Sequence, residues 1–273
     1  MLNFVVALQA EANPLIRHFK LKREKNTYFP VFSSVNTTLI ISGMGRNLAS
    51  AATAWLAATK PAPVWVNFGI AGHRTKDPGD LLVANKITES GTGKNWYPVH
   101  IKTPLETEQL TTFDEIQRSY HPDMLHDMEA SGFFETAIRF TTAELTQSVK
   151  VVSDNETHPV ESIDKTDVEE LITSNMAEIA RFSDHLCQLA EEIQPIVPVA
   201  LIDSYQERWR FSITQHHQLQ RLLQRRMALG IDSKPASGSI SLPSELTTRA
   251  SMHNGKSVLR WLQNDTDAKA EFY

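Results

Sequence analysis

The segment KVVSDNETHP, Lys150–Pro159, decides how the rest of the chain is read. Lys150, Val151 and Val152 end a buried strand, and Ser153 and Asp154 follow where the chain must leave the sheet. Open α/β sheets bind ligands beyond the carboxyl ends of their strands, so a carboxylate at that position marks a candidate site.

Working outward, Leu2–Leu8 (LNFVVAL) is a second short apolar run and reads as a buried strand. Glu11 lies between its end and a helix that Asn13-Pro14 is expected to start. It is either a site residue or a carboxylate stabilising that helix's N-terminus. Thr27–Ser34 and Thr37–Ser42 read as an antiparallel pair. Gly43-Met44-Gly45-Arg46-Asn47 then leads into an alanine-rich helix over Leu48–Thr59. Gly43, Gly45 and Arg46 either present donors and charge to an anion or make a tight turn with a solvated arginine. Pro63–Phe68 is another buried strand, followed by Gly69-Ile70-Ala71-Gly72. These small residues either admit a flat ligand or mark a bulge. Asp77–Asp80 is a turn and Leu81–Ile87 a strand, with a short strand expected at Leu110–Phe113.

His121, Asp123, His126, Asp127 and Glu129 cluster in HPDMLHDME, but their spacing matches no usual ligand pattern, so no metal is expected. Met128–Phe140 has helical periodicity, which puts Glu129 in a first helical turn, where a dipole-stabilising role is the alternative to a site role. Beyond Asp154, a capping box at Thr166–Glu169 predicts a helix from Asp167 to about Ile193, either unbroken or broken near Ser183-Asp184. Pro195–Pro198 reads as a linker and Leu201–Leu229 as a second long helix carrying Arg208, Arg210, Arg221, Arg225 and Arg226. Asp232–Ser244 is a loop and Lys256–Asn264 a last helix. Strand, turn and helix alternate through the first two thirds, which predicts an α/β fold with a helical C-terminal extension over 196–273.

The 273 residues, 41% of them hydrophobic, suffice for one large domain or a domain plus an extension. A net charge of -5 points away from nucleic acid or an anionic membrane as the main partner. One cysteine, Cys187, allows no internal disulfide and fits a reducing compartment. No run approaches the roughly 20 apolar residues of a membrane span, and the first residues lack a basic n-region. The expectation is a cytoplasmic protein. If the strand edges converge, Glu11, Glu129 and Asp154 share one mouth and at least one pKa rises. Such a division into acid and base serves glycosidic bond cleavage.

Four segments carry a resemblance: VVALQAEANPL, ISGMGRNLASAA, NFGIAGHRTKDPGDLLVA, and HDMEASGFFETA with KVVSDN. Together they resemble the nucleoside phosphorylase superfamily, nearest its methylthioadenosine/S-adenosylhomocysteine nucleosidase branch, over roughly residues 1–160. The resemblance implies a three-layer α/β/α fold with a central mixed sheet over 1–195, assembled as a homo-oligomer, often a dimer. It implies Asp154 as general acid toward the leaving purine, Glu11 as the group that binds and deprotonates water, and Glu129 as acceptor for the ribose hydroxyls. Met128 would pack on the sugar, Ile70, Ala71 and Gly72 would line the base pocket, and Ser153 would orient Asp154. The partner is a nucleoside. No cofactor is implied, though phosphate is a possible co-substrate if the chain is a phosphorylase; a catalytically inactive nucleoside-binding protein is the third reading. Ile70 stands where these nucleosidases commonly have a small hydroxyl residue, and His73 and Arg74 replace part of the usual glycine-rich loop. The base-stacking aromatic has three candidates, Trp96, Tyr97 and Phe113.

Overall fold

Along β1 (Leu2–Val6), Leu2, Phe4 and Val6 enter one apolar cluster and Val5 the other, so this strand is covered on both faces. The computed structural model describes residues 1–120, 124–193, 199–231 and 254–270. Chain order continues with α1 (Gln9–His18), β2 (Lys22–Arg23), β3 (Val31–Ser33), β4 (Thr37–Ile41), α2 (Arg46–Thr59), β5 (Val64–His73) and β6 (Leu81–Glu89). Then come β7 (Asn95–Trp96), β8 (Glu106–Thr112), β9 (Met124–Asp127), α3 (Ala130–Ala137), β10 (Thr146–Asp154), α4 (Lys165–Ser174) and α5 (Met176–Glu192). The second unit holds α6 (Val199–Arg208), α7 (Ile213–Ala228) and α8 (Gly255–Ala270).

The strands form one mixed sheet running β2-β3-β4-β1-β5. At β5 it divides: β10 lies parallel on one side and β9 antiparallel on the other. β10 pairs antiparallel with β6, β6 parallel with β8, and β8 parallel with β9, which returns to β5. Five strands thus close into a ring, which removes sheet edges in that half. One face of the sheet packs on α1, α4 and α5 through Leu15, Ile172, Ile179 and Phe182. The other packs on α2 and α3 through Ala52, Leu56, Phe133 and Phe134. The result is the expected α/β/α arrangement with a mixed central sheet.

The chain divides into Met1–Glu192 and Ile193–Tyr273. In the second unit, Leu201, Tyr205 and Trp209 pack with Leu219 and Leu223 of α7 and Val258 and Leu262 of α8. Among the described residues, no helix is long and apolar enough to cross a membrane.

Several element limits differ from expectation. α4 starts earlier because Asp164, not Thr166, is its N-cap: its Oδ1 accepts N–H groups from Thr166 at 2.6 Å and Asp167 at 3.0 Å, and Asp167 returns the bond. The expected helix over 167–193 breaks at Asn175, whose side chain donates to the carbonyl of Gly79 at 2.8 Å. Ser183 does not break it; its hydroxyl bonds back to the Ile179 carbonyl inside α5. The helix expected over 201–229 is two, because Trp209 turns into the core and Ser212 caps a new start with Gln215. Pro14 lies inside α1, which begins five residues earlier than that proline suggested. The last helix extends over Gly255–Ala270 rather than ending at Asn264. Pro195–Pro198, Asp232–Ser244, His121 and Asp123 lie outside the described residues.

Candidate active site

Glu11 is the third residue of α1 and is buried. Its Oε2 accepts the N–H groups of Ala7 at 3.0 Å and Leu8 at 2.8 Å, and its Oε1 accepts that of Ile70 at 2.9 Å. The two readings of this residue are therefore compatible: one oxygen caps the helix and the other reaches across to β5. The close approach depends on Gly69, where a Cβ would fall 2.6 Å from Glu11 Oε1. Burial pushes the Glu11 carboxyl upward, while Lys150 and the three backbone donors pull it down; the net direction is up.

Glu129 is the N-cap residue of α3, not a first-turn residue, and its side chain leaves that helix's dipole to others. Asp127 takes that place: its Oδ2 accepts the N–H of Ala130 at 2.8 Å, and Thr112 Oγ1 accepts that of Ser131 at 3.0 Å. Glu129 Oε1 instead accepts the N–H of Gly45 at 2.7 Å. Burial first, then the negative charge of Asp127, pushes the Glu129 carboxyl up to about 7, with Lys150 opposing.

Asp154 ends β10 after a register shift between Val152 and Asp154, which turns its side chain out of the ladder. Tyr120 donates its hydroxyl to Asp154 Oδ2 at 2.8 Å, and Ser153 donates to Oδ1. Gly72 is again the enabling residue, because a Cβ there would fall 2.7 Å from Asp154 Oδ2 and 3.1 Å from the Tyr120 ring. The Gly-Ile-Ala-Gly run thus lets two carboxylates close on one strand.

Glu11, Glu129 and Asp154 all line one cavity of about 220 Å³ in the first unit. Met44, Ile70, Ala71, Gly72, Met128 and Ser153 line it as well, with Ile116 and Gln117 from the segment after β8. Gly43 and Arg46 do not. The Arg46 guanidinium is bound by Glu89 and by Asp114, the latter at 2.8 Å. Trp96 lies under the Lys94 ammonium and Tyr97 is largely exposed, so neither faces the cavity. Phe113 meets the His126 ring edge-on at 5.2 Å.

Sequence reading missed two partners. Lys150, 1% exposed, places Nζ 2.9 Å from Asp127 Oδ2. Burial alone would lower its pKa, but Asp127, Glu129 and Glu11 outweigh that and raise it. One buried ammonium therefore serves three carboxylates. The signal was present: a lysine within an apolar strand demands a buried partner. Tyr120 had no such signal, being one aromatic in a polar stretch, yet its ring stacks on His126 at 11° between planes and its hydroxyl holds Asp154. Burial and Asp154 push the Tyr120 hydroxyl pKa upward, so it stays protonated. Among the described residues no group of side chains is arranged to hold a metal ion.

Neither protein-family models nor curated proteins give a match to this chain. Solved structures do. The chain is similar to a 5′-methylthioadenosine/S-adenosylhomocysteine nucleosidase from Neisseria meningitidis in complex with methylthio-immucillin-A, at 18% identity and TM-score 0.55, over 66% of this chain and 97% of that one. It is similar to 5′-methylthioadenosine nucleosidase from Arabidopsis thaliana at 16% identity and TM-score 0.58, over 68% and 95% of the two chains. The Campylobacter jejuni 5′-methylthioadenosine/S-adenosyl homocysteine nucleosidase gives 15% identity and TM-score 0.55, over 68% and 97%. The chain has the fold of these nucleosidases, spanning nearly their whole length with about a third of its own residues left over.

Proposed function

We propose that this chain cleaves the N-glycosidic bond of a purine nucleoside or thionucleoside, with water as the nucleophile. The observation that carries this is the convergence of Glu11, Glu129 and Asp154, from three distant segments, on one cavity in which their hydrogen-bond partners differ in kind.

Asp154 is the general acid. It protonates the departing base, which leaves more easily neutral than as an anion. Among the described residues, both partners of the Asp154 carboxylate are hydroxyls, and a hydroxyl can turn from donor to acceptor. When Asp154 carries the proton, Ser153 has a second acceptor in the Ala71 carbonyl, 3.4 Å away, so neither protonation state strands a buried group. Glu11 is the base toward water. An ionised carboxylate has about four acceptor sites; three hold backbone N–H groups, which cannot turn, and the remaining site on Oε1 suits a water proton. Glu129, bound once by Gly45, keeps acceptor capacity for ribose hydroxyls, and Met128 covers the sugar.

Water is favoured over phosphate because the donors near Gly43–Arg46 are committed. The Gly45 N–H goes to Glu129, and the Arg46 guanidinium is bound by two carboxylates. A dianion would have to displace them. The solved relatives by fold are nucleosidases, and one holds a methylthio-substituted inhibitor, which makes 5′-methylthioadenosine the first substrate to try. The same reading takes the protein as a cytoplasmic homodimer, on the strength of the family resemblance and the single Cys187.

The test is purine release from 5′-methylthioadenosine, adenosine and inosine, with and without phosphate. Release without phosphate is expected. Strict phosphate dependence removes water as the nucleophile, and nucleoside binding without turnover removes the enzyme reading.

A further inference from the structure

The second unit carries a feature that the nucleoside pocket does not explain. The net charge of -5 hides a division of sign: residues 1–192 hold 17 Lys and Arg against 25 Asp and Glu, whereas 193–273 hold 10 against 7. The arginine-rich helix is not uniformly a surface feature. Arg226 is buried, bound to Asp265 at 2.7 Å and set against the Trp261 ring, so it holds α7 to α8. Arg221 and Arg225, one turn apart on α7, point the other way, into a groove of about 740 Å³. From α8, Lys256 and Arg260 enter the same groove, again one turn apart.

Arg225 is partly neutralised by Asp267 at 2.7 Å, an acid that does not line the groove. Arg221, Lys256 and Arg260 have no ion-pair partner among the described residues, and all three are exposed. Among the described residues, no carboxylate lines the groove. Its remaining polar lining is amide and hydroxyl, from Gln215, Gln218, Gln263, Ser212 and Thr214, and its apolar floor is Leu222 and Leu259.

We propose that the groove between α7 and α8 binds the sugar–phosphate backbone of a single-stranded nucleic acid. Guanidinium forks match phosphate oxygens, and amides can reach base edges. An amphipathic acidic helix would need a broad apolar groove; here Leu259 is only 7% exposed, and two leucines offer little. A concave basic surface suits a single strand, whereas a duplex is read by a convex element entering its groove. The proposal does not depend on the glycosidase reading, because the site shares no residue with the nucleoside cavity.

The experiment is fluorescence anisotropy of the full-length chain with a labelled oligothymidylate of about 16 nucleotides, from about 50 to 200 mM salt. Single strands lose about 0.7 in the log–log salt slope per neutralised phosphate, so three to four cations predict a slope of about -2 to -3. The double variant Arg221→Glu/Arg260→Glu is expected to lose binding at low salt while keeping its far-UV circular dichroism. Should it fold poorly, Arg221→Gln and Arg260→Gln singly are each expected to flatten the slope by about 0.7. No binding at about 50 mM salt, unchanged binding by folded variants, or tighter binding of polyglutamate or of a duplex of the same sequence overturns the proposal.

Discussion

The two ends of the candidate cavity hold their carboxylates by opposite means. At one end, Glu11 and Glu129 are bound by backbone N–H groups and crowd Asp127 around the Lys150 ammonium. At the other, the partners of the Asp154 carboxylate among the described residues are the hydroxyls of Ser153 and Tyr120. Backbone donors and a buried cation fix a charge in place, and three carboxylates about one cation make its protonation depend on pH. Hydroxyls follow the proton wherever it goes. The first arrangement suits carboxylates that begin a turnover ionised, Glu129 as an acceptor and Glu11 as a base; the second suits an acid that must give its proton to the leaving group.

The largest expected effect breaks the comparison at the hydroxyl-held end. Asp154→Asn keeps the shape and removes the proton source, so kcat for purine release falls about 10²–10⁴-fold with the melting temperature little changed. A variant with near-normal turnover would mean the acid lies elsewhere. At the charge-held end the large effect is on stability. Lys150→Met leaves Glu11, Asp127 and Glu129 without their cation, and breaking a buried pair on one side costs about 3–5 kcal/mol. Urea unfolding measures it; a loss below about 1 kcal/mol would show that the carboxylates do not depend on Lys150.

Glu129 sharpens the comparison through pH. Its folded pKa of about 7 lies above the ordinary 4.5, so the folded chain binds this proton more tightly than the unfolded chain does. That contribution is complete below pH 4.5 and is lost as pH rises through 7. The full gap corresponds to about 3 kcal/mol. Glu129→Gln removes it, so the variant's stability is expected to fall less than the wild type's between those two pH values. For activity the sign reverses. The ionised form accepts the ribose hydroxyls, so kcat/KM of the wild type rises through pH of about 7, and the variant loses that limb. A flat wild-type profile would contradict the coupling.

Much of this was legible in residue order. Strands Leu2–Val6 and Val64–Phe68 announce themselves by apolar, largely β-branched and aromatic residues broken only by Asn3 and Asn67, and Asp154 by its place at the end of another apolar run. What could not be read was which donor each acid meets. Whether the Glu129 or the Asp127 side chain meets the first N–H groups of α3 turns on a shift of two residues, settled by the β9 pairing that places Thr112 beside Asp127. The break at Asn175 depends on Gly79, 96 residues away, whose carbonyl captures the side chain. Tyr120 reaches Asp154 across 34 residues of chain with no periodicity to announce it. Local patterns specify elements; partners far apart in sequence require the fold.

The smallest expected effect tests whether hydroxyl support at Asp154 matters. Tyr120→Phe removes one donor but keeps the ring against Gly72 and His126. Ser153 remains as a donor to the other carboxylate oxygen, so the loss is expected to be about tenfold in kcat, or about 1.4 kcal/mol. Gly72→Ala is the steric counterpart. Its Cβ would fall 2.7 Å from Asp154 Oδ2, so either the carboxylate or the tyrosine must move. If hydroxyl support is what lets Asp154 change protonation, Tyr120→Phe shifts the pH profile of kcat while leaving KM nearly unchanged, and Gly72→Ala raises KM as well by narrowing the cavity. The same KM rise in both variants would make Tyr120 a wall of the pocket and not a partner of the acid.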